Sequence, residues 1–125
     1  MPSHFVQFES AKANPDLPGV QDIDPQELLQ KLDSVVLVDV RQPPEFTGEL
    51  GHIPGAQLVV LDTLPAHVGD LPTDKTVVFV CLSGGRSARA THFAKDNGLT
   101  SAYNLKGGMK LWNQLNYAVK GRNEN

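Results

Sequence analysis

This chain of 125 residues contains a single cysteine, no run of basic residues and no long apolar segment. One cysteine cannot form an internal disulfide, a paired redox motif or a thiolate zinc site. A net charge of −3 without a basic run argues against nucleic acid as the main partner. No apolar segment approaches the roughly 20 residues that span a membrane, so a membrane partner is not expected. These absences favour a protein of the reducing cytoplasm.

The N-terminal residues 1–22 are polar and are interrupted by prolines and a glycine. They carry neither the basic nor the apolar region of a secretory signal. We expect them to form an arm laid over the domain, with a short strand at residues 5–8. The length of the chain suits one domain with its own core, which we expect at residues 23–117. Residues 118–125 are expected to form a C-terminal tail.

Short apolar runs alternate with helix signals along the chain. The runs rich in β-branched residues suit strands that are buried on both faces, as in a parallel sheet. The predicted strands are residues 5–8, 35–40, 57–61, 76–80 and 102–105. The predicted helices are residues 25–32, 43–46, 64–68, 87–97 and 109–115. The alternation predicts an α/β fold, in which a central parallel sheet of five strands is flanked by helices on both faces.

The stretch VVFVCLSGGRSARA, residues 77–90, places Cys81 where a strand stops and a glycine-rich turn begins. In a parallel sheet, functional groups gather outside the carboxyl ends of the strands. The strand at residues 35–40 delivers Asp39 and Arg41 to the same edge. Both are candidates for the rim of a substrate site, but a structural pair at the strand end is the favoured interpretation.

The turn after Cys81 has the features of a nest for an anion. Two glycines permit positive φ, so consecutive N–H groups can turn inward at the start of the following helix. Such a nest favours the thiolate, which is the reactive form of cysteine. The residues expected to cradle the sulfur are Leu82, Ser83, Gly84, Gly85, Arg86 and Ser87. Cys81 is therefore predicted to be a nucleophile rather than a small buried apolar residue, the commonest role of a free cysteine.

With these motifs the sequence resembles the rhodanese superfamily of single-domain sulfurtransferases. The resemblance covers nearly all of residues 23–117 and rests on three stretches. They are VDVR, PEF and GHIPGA between residues 38 and 56, CLSGGRS at residues 81–87, and LKGGM at residues 105–109 with Trp112. The resemblance implies a rhodanese-like fold and a persulfide carried on Cys81. It also implies transfer in two steps, without a metal or organic cofactor. The sulfur would come from a small donor such as thiosulfate or a persulfide. It would pass to a thiol, to cyanide or to an acceptor protein.

Three features of the chain bear on rival functions. The related cysteine phosphatases place one residue more between cysteine and arginine than the four found here, and the smaller ring suits a sulfur atom better than phosphate. Leu82 stands where members that use thiosulfate well often carry a basic residue, which argues against efficient use of thiosulfate. With no second cysteine, the persulfide must pass to an external acceptor. A non-catalytic or partner-dependent sulfur-relay module stays open beside the enzyme, and a phosphatase is the least favoured alternative.

Overall fold

The computed structural model describes residues 5–124, in which strands and helices alternate. The strands are β1 (Lys12–Ala13), β2 (Gln21–Ile23), β3 (Val36–Asp39), β4 (Gln57–Leu58), β5 (Val77–Val80) and β6 (Ala102–Leu105). The α-helices are α1 (Pro25–Gln30), α2 (Pro43–Phe46), α3 (Leu64–His67), α4 (Gly85–Asp96) and α5 (Gly108–Gln114). Short 3₁₀ turns follow α1 and flank α3, at Leu32–Ser34, Leu61–Thr63 and Val68–Asp70.

The strands form one mixed sheet of six in the order β1-β2-β6-β5-β3-β4. Every neighbouring pair from β2 to β4 is parallel, and β1 joins the edge of the sheet antiparallel to β2. The predicted α/β fold with a central parallel sheet is thus confirmed. The five parallel strands carry β1 as an additional edge strand.

One predicted strand is wrong, because residues 5–8 are not part of the sheet and β2 is the fifth parallel strand. The Val6 N–H donates at 2.8 Å to the side-chain hydroxyl of Thr76 rather than to a strand carbonyl. Phe8 packs into the core. β2 does not show in the apolar pattern because two of its three residues, Gln-Asp-Ile, are polar and only Ile23 is buried. This short strand is held by hydrogen bonding to its neighbours rather than by its own apolar content.

Helices cover both faces of the sheet. One core layer lies under α3 and α4 and contains Val38, Val40, Leu64, Phe79, Ala90 and Ala94. The other lies under α1 and α5 and contains Ile23, Leu28, Leu37, Val78, Met109 and Trp112. Adjacent residues of β3 and β5 enter opposite layers, so both faces of these strands are buried. This burial explains why their sequences are continuous apolar runs rather than alternating ones.

The segments before β2 and after α5 are fastened to the central sheet and its helices. The Glu27 carboxylate on α1 accepts hydrogen bonds of 2.9 Å from the backbone N–H groups of Glu9 and Ser10. Burial raises the pKa of Glu27, but hydrogen bonds from Lys31 and Ser10 outweigh it and lower this pKa to about 2. In the C-terminal segment, Trp112 donates its indole N–H to the Ala118 carbonyl at 3.0 Å. The described parts of both segments, residues 5–20 and 115–124, are therefore bound to the rest of the fold.

The division into an arm of residues 1–22, a domain of residues 23–117 and a tail of residues 118–125 stays a prediction. Its first boundary falls within β2. Residues 1–4 of the arm and residue 125 of the tail lie outside the described residues. Within the described part of the chain, no helix is both long and apolar enough to cross a membrane.

Candidate active site

Cys81 directly follows β5 and lies at the carboxyl edge of the sheet. β3 and β5 pair in parallel register with Asp39 opposite Val80, so both strands end at this edge. The structure thereby places Cys81 beside the chain segment that carries Asp39 and Arg41. Cys81 is 1% exposed, so it lies beneath the protein surface.

Two hydrogen-bond donors converge on the Cys81 sulfur. The Gly84 N–H and the Ser87 hydroxyl each lie 3.1 Å from Sγ. Gly84 has a φ of +111° and caps the N-terminus of α4, and glycine adopts this conformation without steric cost. Gly85 already belongs to α4, so the loop turns on one glycine of positive φ rather than on two. These donors, with the positive end of the helix, can stabilise negative charge on the sulfur.

The N-terminus of α5 braces the start of this loop. The Met109 N–H donates to the Cys81 carbonyl at 2.8 Å, and the Lys110 N–H donates to the Leu82 carbonyl at 3.0 Å. Gly108 makes this approach possible, because a Cβ there would lie 2.4 Å from the Cys81 carbonyl oxygen. Gly108, the first residue of α5, therefore supports the active loop.

Arg86 is bound by Glu45 on α2. Its Nη1 and Nη2 donate to Oε1 and Oε2 of Glu45 at 2.8 and 2.9 Å. These hydrogen bonds lower the pKa of Glu45 to about 2 and raise the pKa of Arg86. The carboxylate of Glu45 therefore offsets the charge of Arg86.

Asp39 and Arg41 form an ion pair whose side chains are both 1% exposed. Arg41 Nη2 donates to Asp39 Oδ2 at 2.8 Å and to the Gly51 carbonyl at 2.7 Å. The Arg41 backbone N–H also donates to Asp39 Oδ1 at 3.1 Å. With these bonds the pair closes the end of β3 against the loop at Gly51, which supports the structural interpretation over contact with substrate.

The structure adds two polar residues that the sequence patterns did not single out. Asn104 on β6 is 1% exposed, and its Oδ1 lies 2.5 Å from the Ser87 hydroxyl. Asp22 on β2 accepts a hydrogen bond of 2.8 Å from Asn104 Nδ2. Both residues lie on short strands outside the cysteine motif, so no local sequence pattern marks them as part of the site. They become visible only through the pairing of β2 with β6.

Two clefts flank the loop. The larger, of about 440 Å³, has Ser83, Gly84 and Gly85 in its wall and extends to the N-terminal segment. The smaller, of about 150 Å³, is lined by Leu82 together with Arg41, Pro44, Glu45, Gly48, Glu49 and Leu50. Among residues 5–124, no three His, Cys, Asp or Glu side chains gather as they would around a metal ion. The chemistry available at the loop is that of one thiol, its donors and one ion pair.

The sequence model of the Rhodanese-like domain matches residues 24–115 of this chain. A relative from Bacillus subtilis, the uncharacterized protein YqhL, is 46% identical over 76 residues, which are 61% of this chain and 59% of that protein. A protein of Allochromatium vinosum named Sulfurtransferase is 35% identical over 96 residues, which are 74% of this chain and 88% of that protein. The match thus spans less than two thirds of the Bacillus protein but most of the Allochromatium one.

Solved structures show the same likeness. The human single domain sulfurtransferase TSTD1 has a TM-score of 0.66 and 28% identity, over 74% of this chain and 95% of that one. The part matched by the family model includes Cys81, its loop, Glu45 and Asn104, whereas Asp22 precedes it.

Proposed function

The chain belongs to the family of rhodanese-like domains, and on that premise we propose that it transfers a sulfane sulfur through a persulfide on Cys81. Proteins named sulfurtransferase are similar to it, among them one bacterial and one human protein. The observation that carries the proposal is the convergence of the Gly84 N–H and the Ser87 hydroxyl on Sγ, each at 3.1 Å. A cysteine that only fills space in a core requires neither donor.

The reaction proceeds in two displacements at sulfur. First, the Cys81 thiolate attacks the outer sulfur of the donor. A new S–S bond forms at Sγ, and the donor's own S–S bond breaks as its remainder leaves with the electron pair, as a thiolate or as sulfite. Next, a thiolate or cyanide acceptor attacks the outer sulfur of the persulfide, and Sγ leaves as a thiolate. Both steps balance without a cofactor.

The proposed site holds charge on sulfur at each stage. The proposed cradle consists of Leu82, Ser83, Gly84, Gly85, Arg86 and Ser87. Within it, the Gly84 N–H and the Ser87 hydroxyl are the donors to Sγ. Arg86 positions the loop against α2 through Glu45, and the Asp39–Arg41 pair braces the adjoining strand end.

The same geometry favours a persulfide over thiosulfate as the donor. Thiosulfate carries two negative charges. Leu82 provides no positive charge to bind it, and Glu45 offsets the positive charge of Arg86. As the chain has one cysteine, the acceptor is an external thiol, cyanide or an acceptor protein. The mechanism needs a free thiol, so we place the protein in a reducing compartment, the cytoplasm.

The proposal is tested by sulfur loading. The protein is incubated with thiosulfate or with a low-molecular-weight persulfide, freed of excess donor and weighed by intact mass spectrometry. Because the chain has one cysteine, a gain of one sulfur locates the persulfide at Cys81. We expect loading by both donors, faster with the persulfide, and none in Cys81→Ser. If neither thiosulfate nor the persulfide added sulfur to the protein, the proposed sulfurtransferase function would be refuted.

Discharge separates the enzyme from its rivals. Addition of cyanide to the loaded protein should release thiocyanate and restore the starting mass. Loading without discharge by cyanide or small thiols would instead support a sulfur-relay module that serves one partner protein. If the protein hydrolysed an aryl phosphate and Cys81→Ser lost this activity, the result would support the phosphatase alternative.

A further inference from the structure

A line of hydrogen bonds leads from the Cys81 sulfur to the N-terminal segment. The Ser87 hydroxyl oxygen lies 3.1 Å from Sγ and 2.5 Å from Oδ1 of Asn104. Asn104 Nδ2 donates in turn to the Asp22 carboxylate at 2.8 Å. Cys81, Ser87 and Asn104 are each at most 1% exposed, so water does not compete for the inner bonds. The reacting sulfur is thus connected to a carboxylate on another strand.

The partners of Asn104 decide which way its amide points. Nδ2 faces two acceptors, the Asp22 carboxylate at 2.8 Å and the Gly84 carbonyl at 3.2 Å. A reversed amide would set its oxygen against both acceptors with no proton between them. Asp22 is itself held by Asn14, whose Nδ2 donates to it at 3.0 Å. Oδ1 of Asn104 therefore faces Ser87 as an acceptor.

The Ser87 hydroxyl has one proton and two acceptors within reach. While Cys81 is a thiol, its S–H can donate to the Ser87 oxygen as the Ser87 proton goes to Asn104. Once Cys81 is a thiolate, the sulfur competes for that same proton. Ser87 can then donate to Sγ only by giving up its bond to Asn104. The oriented Asn104 oxygen therefore competes with Sγ for the Ser87 proton.

We propose that Asn104 and Asp22 are positioning residues that set the reactivity of Cys81 by holding the Ser87 proton away from its sulfur. The proposal rests on the proposed function only in taking Cys81 as the reacting group. When Sγ becomes the leaving thiolate in the second displacement, the growing charge draws the Ser87 proton back to the sulfur. A change at Asp22, which acts on Sγ only through Asn104 and Ser87, should then move the balance between thiol and thiolate.

Several other charged residues line the two clefts beside the Cys81 loop, or bind to the loop or to a residue of these clefts, and they stay unchanged in such a test. They are Arg86 and Arg89 on α4, Glu45 on α2, Asp39 and Arg41 at the end of β3, Lys106 after β6, and Lys110 on α5. Among them, Arg86 interacts electrostatically with the Cys81 thiolate. Because their charges are the same in every variant below, they do not contribute to a difference between variants.

The experiment follows the ultraviolet absorbance of the thiolate during a pH titration of the free protein, with Cys81→Ala as the blank. The one cysteine of the chain makes the signal specific for Cys81. In Asp22→Asn and in Asn104→Leu we expect the titration midpoint to fall by about 0.5–1 pH unit. That shift corresponds to the release of one ordinary hydrogen bond.

Asp16→Asn is the matched control, because Asp16 lines the same 440 Å³ cleft as Asp22 and loses the same charge. We expect its midpoint to stay at the wild-type value. Equal shifts in Asp16→Asn and Asp22→Asn would overturn the proposal, since charge alone would then account for them. Unchanged midpoints in Asp22→Asn and Asn104→Leu would overturn it as well.

Two safeguards keep the result decisive. Thermal unfolding shows whether each variant is folded, and if Asn104→Leu is not, the comparison of Asp22→Asn with Asp16→Asn decides. The titration requires no sulfur donor, so its outcome is independent of sulfur loading. A protein that takes up no sulfur but shows the shifted midpoint would refute the sulfurtransferase and retain the role of Asn104 and Asp22.

Discussion

Glu45 and Arg86 hold each other by two parallel hydrogen bonds of 2.8 and 2.9 Å beside the Cys81 loop. They lie 41 residues apart in the chain, on α2 and α4. Their side chains are 30% and 29% exposed, so solvent screens the pair and its contribution to stability is about 1 kcal/mol. The pairing gives the loop a fixed anchor and leaves it with little free positive charge.

Glu45→Gln should make Cys81 more reactive toward anionic reagents. The substitution keeps the side-chain shape and the acceptor for the Gln42 N–H but leaves the Arg86 charge unopposed. We expect the ratio of alkylation rates with iodoacetate and iodoacetamide to rise roughly fivefold, since two unit charges about 4 Å apart in water interact by about 1 kcal/mol. Glu49→Gln, an exposed change in the same small cleft, should raise it less. An unchanged ratio in Glu45→Gln would mean that Arg86 does not act on charge at Cys81.

The same pair should stabilise the fold only above acidic pH. Hydrogen bonds from Arg86 lower the pKa of Glu45 from 4.5 to about 2 in the folded protein. A lowered folded-state pKa adds stability that is complete above the unfolded value and is lost as the pH falls through the folded value. In urea titrations, the difference in unfolding free energy between wild type and Glu45→Gln should therefore be constant from neutral pH to about pH 5. It should shrink toward zero near about pH 2. A difference independent of pH would contradict this account.

Gly108→Ala should damage the active loop more than the fold as a whole. The new Cβ would lie 2.4 Å from the Cys81 carbonyl oxygen and 2.6 Å from the Leu82 carbonyl carbon, so one segment must move. We expect sulfur loading to fall at least tenfold. Gly98→Ala is the control, because Gly98 also has a positive φ but its Cβ would meet no atom within 4 Å. It should lose about 1–2 kcal/mol of stability and retain loading. Equal loading in both variants would show that α5 does not shape the loop.

Leu82→Arg should improve the use of thiosulfate. Leu82 lines the small cleft beside Glu45, and a cation there supplies the charge that the Arg86–Glu45 pair withholds. We expect the KM for thiosulfate to fall roughly fivefold, with a smaller change for an uncharged donor. Leu82→Gln tests polarity without charge and should leave KM near the wild-type value. If Leu82→Gln improves KM as much as Leu82→Arg, charge at this position is not the cause.

The central strands were predictable because they are buried on both faces. Continuous apolar runs placed β3 and β5 to within a residue of their ends. Residues 5–8 show the limit of the same rule, because Val6 and Phe8 pack into the core without joining the sheet. β2 shows the opposite limit, since a short polar strand owes its place to hydrogen bonding with β6. A short polar strand thus depends on neighbours that the local sequence does not reveal.

The sequence by itself determined the parts of the candidate site that are contiguous. Cys81, the turn at Gly84 and the start of α4 lie within a few residues, so strand and helix signals place them together. Only the tertiary structure decided what Arg86 and Ser87 bind, because Glu45 and Asn104 are 41 and 17 residues away from them. A hydrogen bond requires its two atoms to meet within a few tenths of an ångström, and only packing between separate elements sets such distances.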